Sequence, residues 1–244
     1  MDYSVIAQIL KLNKSFYQTF AEHFSATRNR LQPGVQRILD KIEPNTRILD
    51  LGCGNGEVAH YLSRSGHHGL YTGIDMSARL LEKAKEKIHL RENFPVLFIQ
   101  ADLSVPGWEL ELPTSEYDLI LAFAVLHHLP GKTLRRSVLA TANKLLRPSG
   151  RFIHSEWQFL NSPRLRARIQ PWERIGLRED QVENGDYLLD WRHGGLGYRY
   201  VHHFTLDELS LLAEETGFSI LETFLCDGEG GKLGLYQIWE QDID

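Results

Sequence analysis

Residues 48–56 read Ile48-Leu49-Asp50-Leu51-Gly52-Cys53-Gly54-Asn55-Gly56. An apolar run ends on an acid and passes into three glycines at alternate positions. Arg47–Leu51 reads as a short buried strand, and the helical pattern resumes at about Glu57. Glycine suits such a junction because the chain must turn tightly and because a Cβ would collide with a ligand lying on the loop. Taken alone, the glycine pattern describes a tight turn as readily as a binding loop, so its surroundings decide the reading.

Downstream, strands and helices alternate. Leu70–Ile74 reads as a strand, Ala78–Leu90 as a helix, Val96–Gln100 and Tyr117–Phe123 as strands. Leu134–Leu146 reads as a helix stopped by Pro148 and Gly150, and Arg151–Glu156 as a fifth strand. This rhythm implies βαβ units and a parallel sheet. Three successive strand ends carry an acid: Asp50, Asp75 in Gly73-Ile74-Asp75-Met76-Ser77, and Asp102 in Gln100-Ala101-Asp102-Leu103. Asp75 stands about 20 residues beyond the loop, where a carboxylate can accept both hydroxyls of a ribose. Asp102 is placed to meet the exocyclic amine of an adenine. The glycines do not complete a G-x-G-x-x-G, no G-K-[ST] occurs, and residues 52–57 hold no basic side chain for a pyrophosphate. Asp50 and Glu57 instead suit a ligand carrying positive charge.

Upstream, Ile6–Phe24 and Pro33–Ile42 read as helices, with Pro33 in a first turn. The βα rhythm breaks at Trp157. Residues 157–204 hold two prolines, a Gly194-Gly195 pair and many arginines, and read as an insertion at the carboxyl ends of the strands, well placed to cover a substrate. Leu206–Thr216 is again helical, and Phe218–Leu225 and Leu233–Gln241 read as a hairpin. The chain is therefore expected to form one α/β domain over 1–244: N-terminal helices (1–45), a ligand-binding core (46–156), a cap (157–204) and a C-terminal helix and strand pair (205–244).

The bulk numbers agree. The chain has 244 residues, 42% hydrophobic and 24% charged, enough for a single full core. A net charge of -5 excludes attraction of the whole molecule to nucleic acid, so RNA contact would need a local patch. Two cysteines make no disulfide framework, and the first residues lack the charge order of a signal peptide. The expected location is cytoplasmic, with neither membrane nor DNA as a partner. Adjacent histidine pairs (His67-His68, His127-His128, His202-His203) do not share a face of a helix or strand, so no metal site is expected.

In order and spacing, D-L-G-C-G-N-G, G-I-D-M-S, Q-A-D-L, Y-D-L-I-L-A-F-A-V-L-H-H-L and L-L-R-P-S-G-R-F-I resemble the class I S-adenosylmethionine-dependent methyltransferases over residues 45 to 155. The resemblance implies a seven-stranded, mostly parallel doubly wound sheet of Rossmann-like type, with the last strand antiparallel. It implies S-adenosyl-L-methionine as cofactor, with Asp50, Gly52, Cys53 and Gly54 along the methionine moiety, Asp75 at the ribose, and Asp102 and Leu103 at the adenine. Tyr17, Arg28, Met76, Ala122 and Phe123 complete the expected cofactor set. Cys53 is expected as a small loop residue rather than a reactive thiol.

A narrower resemblance lies outside these motifs. His23-Phe24-Ser25-Ala26-Thr27-Arg28, Ala124-Val125-Leu126-His127-His128, Gly185–Trp191 and Arg199–Phe204 are similar to stretches of the tRNA wobble-uridine methyltransferases, which esterify a carboxymethyluridine. Asp190 departs from that pattern, standing where those enzymes carry proline. The likeness implies tRNA as a partner and a small zinc-binding activating protein, for which the edge strand Val96–Gln100 is a candidate docking site. Residues 163–178 carry five arginines against one acid, among them Arg166 and Arg168, and arginine forks suit phosphates. Trp157, Trp191 and Tyr198 offer stacking surfaces. With Arg28, His128 and Arg199 they form the expected substrate set. Solvated arginines and packed tryptophans are the plainer reading of the same residues. His127, just after strand four, is a candidate general base and equally a hydrogen-bonded loop residue. Two alternatives stay open: a small-molecule methyltransferase gripping an acidic metabolite through Arg28, Arg192 or Arg199, and a non-catalytic cofactor-binding regulator.

Overall fold

Two apolar cores on opposite faces of one sheet organise the protein. The computed structural model describes residues 1–27, 30–88 and 94–242, the side chains of 21–27 excepted. The central strand β1 (Ile48–Leu51) is buried at every position, as a strand covered on both faces must be. It pairs in parallel with β2 (Tyr71–Asp75) on one side and β4 (Tyr117–Phe123) on the other. β3 (Val96–Gln100) adds to β2, and β5 (Leu146–Trp157) to β4, both in parallel. The hairpin of β9 (Phe218–Cys226) and β10 (Gly234–Gln241) completes the order β3-β2-β1-β4-β5-β10-β9, with β10 antiparallel to both neighbours. This is the expected seven-stranded α/β sheet.

Helices α2 (Pro33–Leu39) and α3 (Glu57–Arg64) cover one face through Val35, Ile38, Leu39, Val58, Ala59 and Leu62. Helices α5 (Lys132–Leu145) and α7 (Leu206–Glu215) cover the other through Val138, Leu139, Ala142, Leu209, Leu212 and Ala213. Ser77 and Thr205 accept the backbone N–H groups of Leu80 and Glu208, so they cap α4 (Ala78–Lys87) and α7. Helix α5 begins two residues before the expected Leu134, on the turn at Gly131. Its end is continuous with β5, which runs through Pro148 with a register irregularity opposite residues 117–119.

The insertion has more order than its composition suggested. Between the short helix α6 (Pro163–Arg166) and α7 it folds an antiparallel sheet β6-β7-β8 from Ile169–Gln170, Asp186–Trp191 and Gly197–His202. The long N-terminal helix α1 (Tyr3–Thr27) docks there. Val5 and Ile9 pack with Trp172, Leu188 and Tyr200, while Phe16, Tyr17 and Phe20 pack with Trp191. Asn13 seals the junction: its Oδ1 accepts the Tyr200 N–H at 2.9 Å, and its Nδ2 reaches the carbonyls of Tyr200 and His128 at 3.3 Å. Among the described residues, no helix is long and apolar enough to cross a membrane.

Candidate active site

Strand order reverses beside β1, and a crevice opens there at the carboxyl ends of the strands. It holds a cavity of about 480 Å³. Of the expected cofactor set, Asp50, Gly52, Cys53, Gly54, Asp75, Met76, Asp102, Leu103, Phe123 and Tyr17 all line it. Ala122 does not: it is fully buried in the core beneath, because alternation along β4 turns only one of two adjacent side chains outward. Arg28 lies outside the described residues.

The glycine loop is held by the second strand. Asp75 Oδ2 accepts the Gly54 N–H at 3.0 Å, and Oδ1 accepts the Ser77 N–H at 2.8 Å. Burial raises the Asp75 pKa, and these two N–H groups oppose it. Each oxygen keeps a lone pair for a ligand hydroxyl. Gly54 adopts φ +57, and a Cβ there would meet no atom of the described residues within 4 Å, so it would stand in ligand space. Asp102 Oδ1 is engaged by the N–H and hydroxyl of Ser104, and its Oδ2 lies 3.7 Å from Lys14 Nζ. Asp50, below the loop, accepts the Tyr71 hydroxyl at 2.5 Å. Burial raises its pKa to about 7, with the Tyr71 hydrogen bond opposing and the Asp75 charge adding. The Cys53 thiol, buried beside Asp50 and Asp75, is pushed well above its ordinary range and is inert.

These residues fit S-adenosylmethionine. The cavity is of ligand size, the loop leaves room where a side chain would obstruct, and buried acids stand ready for positive charge. When bound, that cofactor supplies a methyl group on a cationic sulfur. Replacing Asp75 by alanine should weaken its binding by about 1–3 kcal/mol through lost hydrogen bonds, and should also release Gly54. Calorimetry on a normally melting variant checks this, and unchanged affinity removes the assignment. The Asp50 carboxyl carries a pH signature. Below pH 7 it is mostly protonated, and a cationic ligand must expel that proton. Affinity should therefore rise with pH by up to about tenfold per unit below 7 and level off above about 8. Asp50→Asn should flatten the profile.

The acceptor side differs from expectation. His127 is 1% exposed and does not line the cavity. Its Nδ1 meets Glu156 Oε2 at 2.9 Å, and His154 Nδ1 meets the other oxygen at 2.9 Å. Burial pushes Glu156 well up and His154 down to about 3. His127 is thus a buried structural tie outside the cavity lining, and this corrects its reading as a general base. Its neighbour His128, on the opposite side of the same short turn, lines the cavity instead. The Tyr200 carbonyl, which can only accept, lies 3.3 Å from His128 Nδ1, which assigns that nitrogen its proton. Nε2 then accepts the Tyr17 hydroxyl at 2.6 Å.

The other expected substrate residues spread out. Trp191 is 7% exposed and packed edge-on against Phe16, with its Nε1–H donated to the His193 carbonyl, so it offers no open face to a base. Tyr198 packs with the α1–cap cluster. Arg166 is exposed on the cap and Arg168 half-buried, and neither lines the cavity. Trp157 and Arg199 stack on each other beneath the cap. Sequence reasoning missed the contribution of α1 beyond Tyr17. Ala7, Leu10, Lys11 and Lys14 share a face with it at three- and four-residue spacing and line the cavity. The signal was a helix stripe that mixes apolar residues with lysines.

Comparisons with known proteins converge on one family. A family model described as "Methyltransferase domain" matches residues 22–223. The 27-O-demethylrifamycin SV methyltransferase of Amycolatopsis mediterranei is 30% identical over 68% of this chain and 61% of its own length. The tRNA (carboxymethyluridine(34)-5-O)-methyltransferase of Schizosaccharomyces pombe is 26% identical over 84% of this chain and 88% of its own. A crystal structure of a SAM-dependent methyltransferase from Methanosarcina mazei superposes with TM-score 0.67 at 21% identity, covering 88% of this chain and 99% of that one. Family match, strand order and the acid-lined glycine loop agree: the chain belongs to the methyltransferase domain family and is an S-adenosylmethionine-dependent methyltransferase.

Proposed function

We propose that this enzyme methylates a carboxylate oxygen, and that the carboxylate belongs to a carboxymethyl group on a tRNA wobble uridine. The observation that carries the reading is the partition of charge along the cavity wall. Among the described lining residues, every carboxylate lies on the glycine loop, on α3 or at a strand end: Asp50, Glu57, Asp75 and Asp102. Helix α1 and the turn after β4 contribute Lys11, Tyr17 and His128 instead, with Lys14 paired to Asp102. A cationic cofactor is drawn to the first set, and an anionic acceptor is tolerated by the second.

A carboxylate is already ionised at neutral pH, so its methylation needs alignment and exclusion of water rather than a strong base. Negative charge on oxygen and positive charge on sulfur are consumed together, and no proton is transferred. The absence of a carboxylate base from α1 and the turn after β4, among the described residues, suits that chemistry. Likeness to the fission-yeast tRNA enzyme extends over most of both chains and supports the RNA form of the acceptor. On the cap, Arg164, Arg166 and Arg174 are exposed, while Arg178 is engaged by Asp180. A small zinc-binding activating protein belongs to the same proposal. The outer edge of β3 exposes Leu97, and a partner strand could add there.

The test is methyl transfer from labelled cofactor to tRNA bearing an unesterified carboxymethyluridine, with and without that partner. Base-labile methyl ester in the tRNA is the expected product. Affinity for the tRNA should fall with salt, and Arg166→Ala with Arg168→Ala should flatten the log–log slope by about 1 to 1.5. No ester under either condition, with label passing instead to a small-molecule extract, would transfer the reading to an acidic metabolite. Cofactor binding without transfer to either would point to a regulator.

A further inference from the structure

Arg199 lies on β8, opposite Leu189 in the cap sheet, and is 8% exposed. Its guanidinium sits 4.7 Å from the ring centre of Trp157 and 5.6 Å from those of Phe16 and Trp191. Among the described residues its Nε–H has no hydrogen-bond partner. Among the described residues no carboxylate pairs with it. Arg192, on the same cap, shows the contrast: Asp190 accepts its Nε and Nη2 at 2.9 and 2.6 Å. Burial lowers the Arg199 pKa, and the neighbouring Tyr17 phenol opposes that. A second positive charge, Arg168, lies near enough to repel it.

A buried guanidinium without an acid is costly to a fold, because its charge has left water without compensation. Aromatic faces recover part of that cost but accept none of its five N–H donors well. An anion brought close to it would compensate the remaining charge. The place is suited to that. Tyr17 connects this place to the cavity: it packs with Phe16 and Trp191, which flank Arg199, its O–H donates to His128 Nε2 at 2.6 Å, and His128 Nδ1–H reaches the Tyr200 carbonyl at 3.3 Å. Tyr17 and His128 both line the cavity, so the positive charge stands one side chain behind its wall.

We propose that Arg199 is the acceptor-charge selector of this enzyme: its caged guanidinium, acting with Tyr17, draws an acceptor carboxylate into the cavity and discriminates against the uncharged amide of the same shape. The inference rests on the reading that the acceptor is a carboxylate. It is independent of whether that carboxylate is carried by RNA or by a small molecule. From behind the wall the positive charge favours an anionic acceptor over a neutral one, with Tyr17 as the group the acceptor touches, while an amide carries no charge to attract and presents N–H groups to a cation.

The experiment uses the full chain saturated with S-adenosylhomocysteine and two matched pairs of probes. One pair is uridine-5-acetic acid and uridine-5-acetamide, and the other is phenylacetate and phenylacetamide. Binding is read from tryptophan fluorescence, since Trp157 and Trp191 flank Arg199, and from the Arg199 Nε–H resonance in ¹⁵N spectra. The acid should bind at least tenfold more tightly than its amide and should shift that resonance, while the amide should not. Arg199→Met should bring the ratio close to one with the melting temperature and cofactor affinity retained, and Arg199→Lys should restore part of the preference. Should Arg199→Met fail to fold, the resonance shift in the wild-type chain and the Arg199→Lys ratio decide alone. Acid and amide binding equally, no binding by either acid, or an acid preference that survives in Arg199→Met would each overturn the proposal. Phenylacetate preferred with no uridine probe bound would uphold it and remove the RNA reading. Carboxymethyluridine tRNA methylated with the same KM by wild type and Arg199→Met would do the reverse.

Discussion

Gly54→Val is expected to abolish cofactor binding while leaving a folded protein. Gly54 adopts φ +57, and its N–H is held by Asp75. A β-branched residue in that left-handed region costs about 1–2 kcal/mol. For a chain of this size that lowers the melting temperature by roughly 2–8 °C. The larger effect is on the ligand. Among the described residues no atom lies within 4 Å of the added Cβ, so the branched side chain projects into the cavity rather than into the core. Filling ligand space and shifting the loop together should cost about 3 kcal/mol of affinity, a hundredfold or more. Gly52 makes the informative contrast. It has φ +68, and its added Cβ would lie 2.7 Å from Val125 Cγ2, so Gly52→Val should damage the fold as well as the site. Calorimetric titration with S-adenosylhomocysteine beside thermal melts separates the two. A Gly54→Val protein that melts normally and binds with unchanged affinity contradicts the placement of the loop.

Arg135→Met should be strongly destabilising although it lies outside the site. Arg135 is a 1% exposed side chain of α5, and its Nη2 reaches Glu183 at 2.8 Å and Glu208 at 3.4 Å. Nη1 reaches the Leu129 carbonyl at 3.1 Å and the Tyr200 hydroxyl at 3.4 Å, and the guanidinium stands 5.4 Å from the Phe204 ring centre. One residue thus ties the turn after β4, the cap and α7 together. Breaking a fully buried ion pair costs about 3–5 kcal/mol. Here the two acids keep about a quarter of their side-chain surface in water, so the lower end applies, about 3 kcal/mol. The expected fall in melting temperature is roughly 6–12 °C. Hydrogen exchange should quicken in β7 and β8 before it does in β1 and β4, because the lost contacts dock the cap rather than build the sheet. A melting temperature within 2 °C of wild type would show that Arg135 is not the clasp.

The contrast between these two positions follows the limits of sequence reading. Gly54 was marked by its neighbours in the chain. Arg135 was not: within Leu134–Leu146 it looks like any solvated basic residue of an amphipathic helix, and its partners stand 48 and 73 residues away. The same difference separates the two adjacent histidines. Position after β4 pointed to both, but only the turn geometry sends His128 to the cavity and His127 to Glu156.

By itself, the sequence determined the alternation of strands and helices, the glycine loop, the acids at three strand ends and hence the cofactor class. These are local signals. Period-two and period-3.6 patterning, turn residues and short motifs report what lies a few residues away, and a βα core is assembled from just such units. Only the tertiary structure decided that α1 lines the cavity beyond Tyr17, that Trp191 is packing rather than a platform, that Ala122 lies below the site, and that the cap is a small sheet clasped by Arg135. It alone separated Arg192, neutralised by Asp190, from Arg199, buried among three rings with no acid paired to it among the described residues. The reason is physical. Burial and charge pairing depend on which distant surfaces meet, and side chains of one type are indistinguishable in a sequence until packing has removed some of them from water and given partners to others.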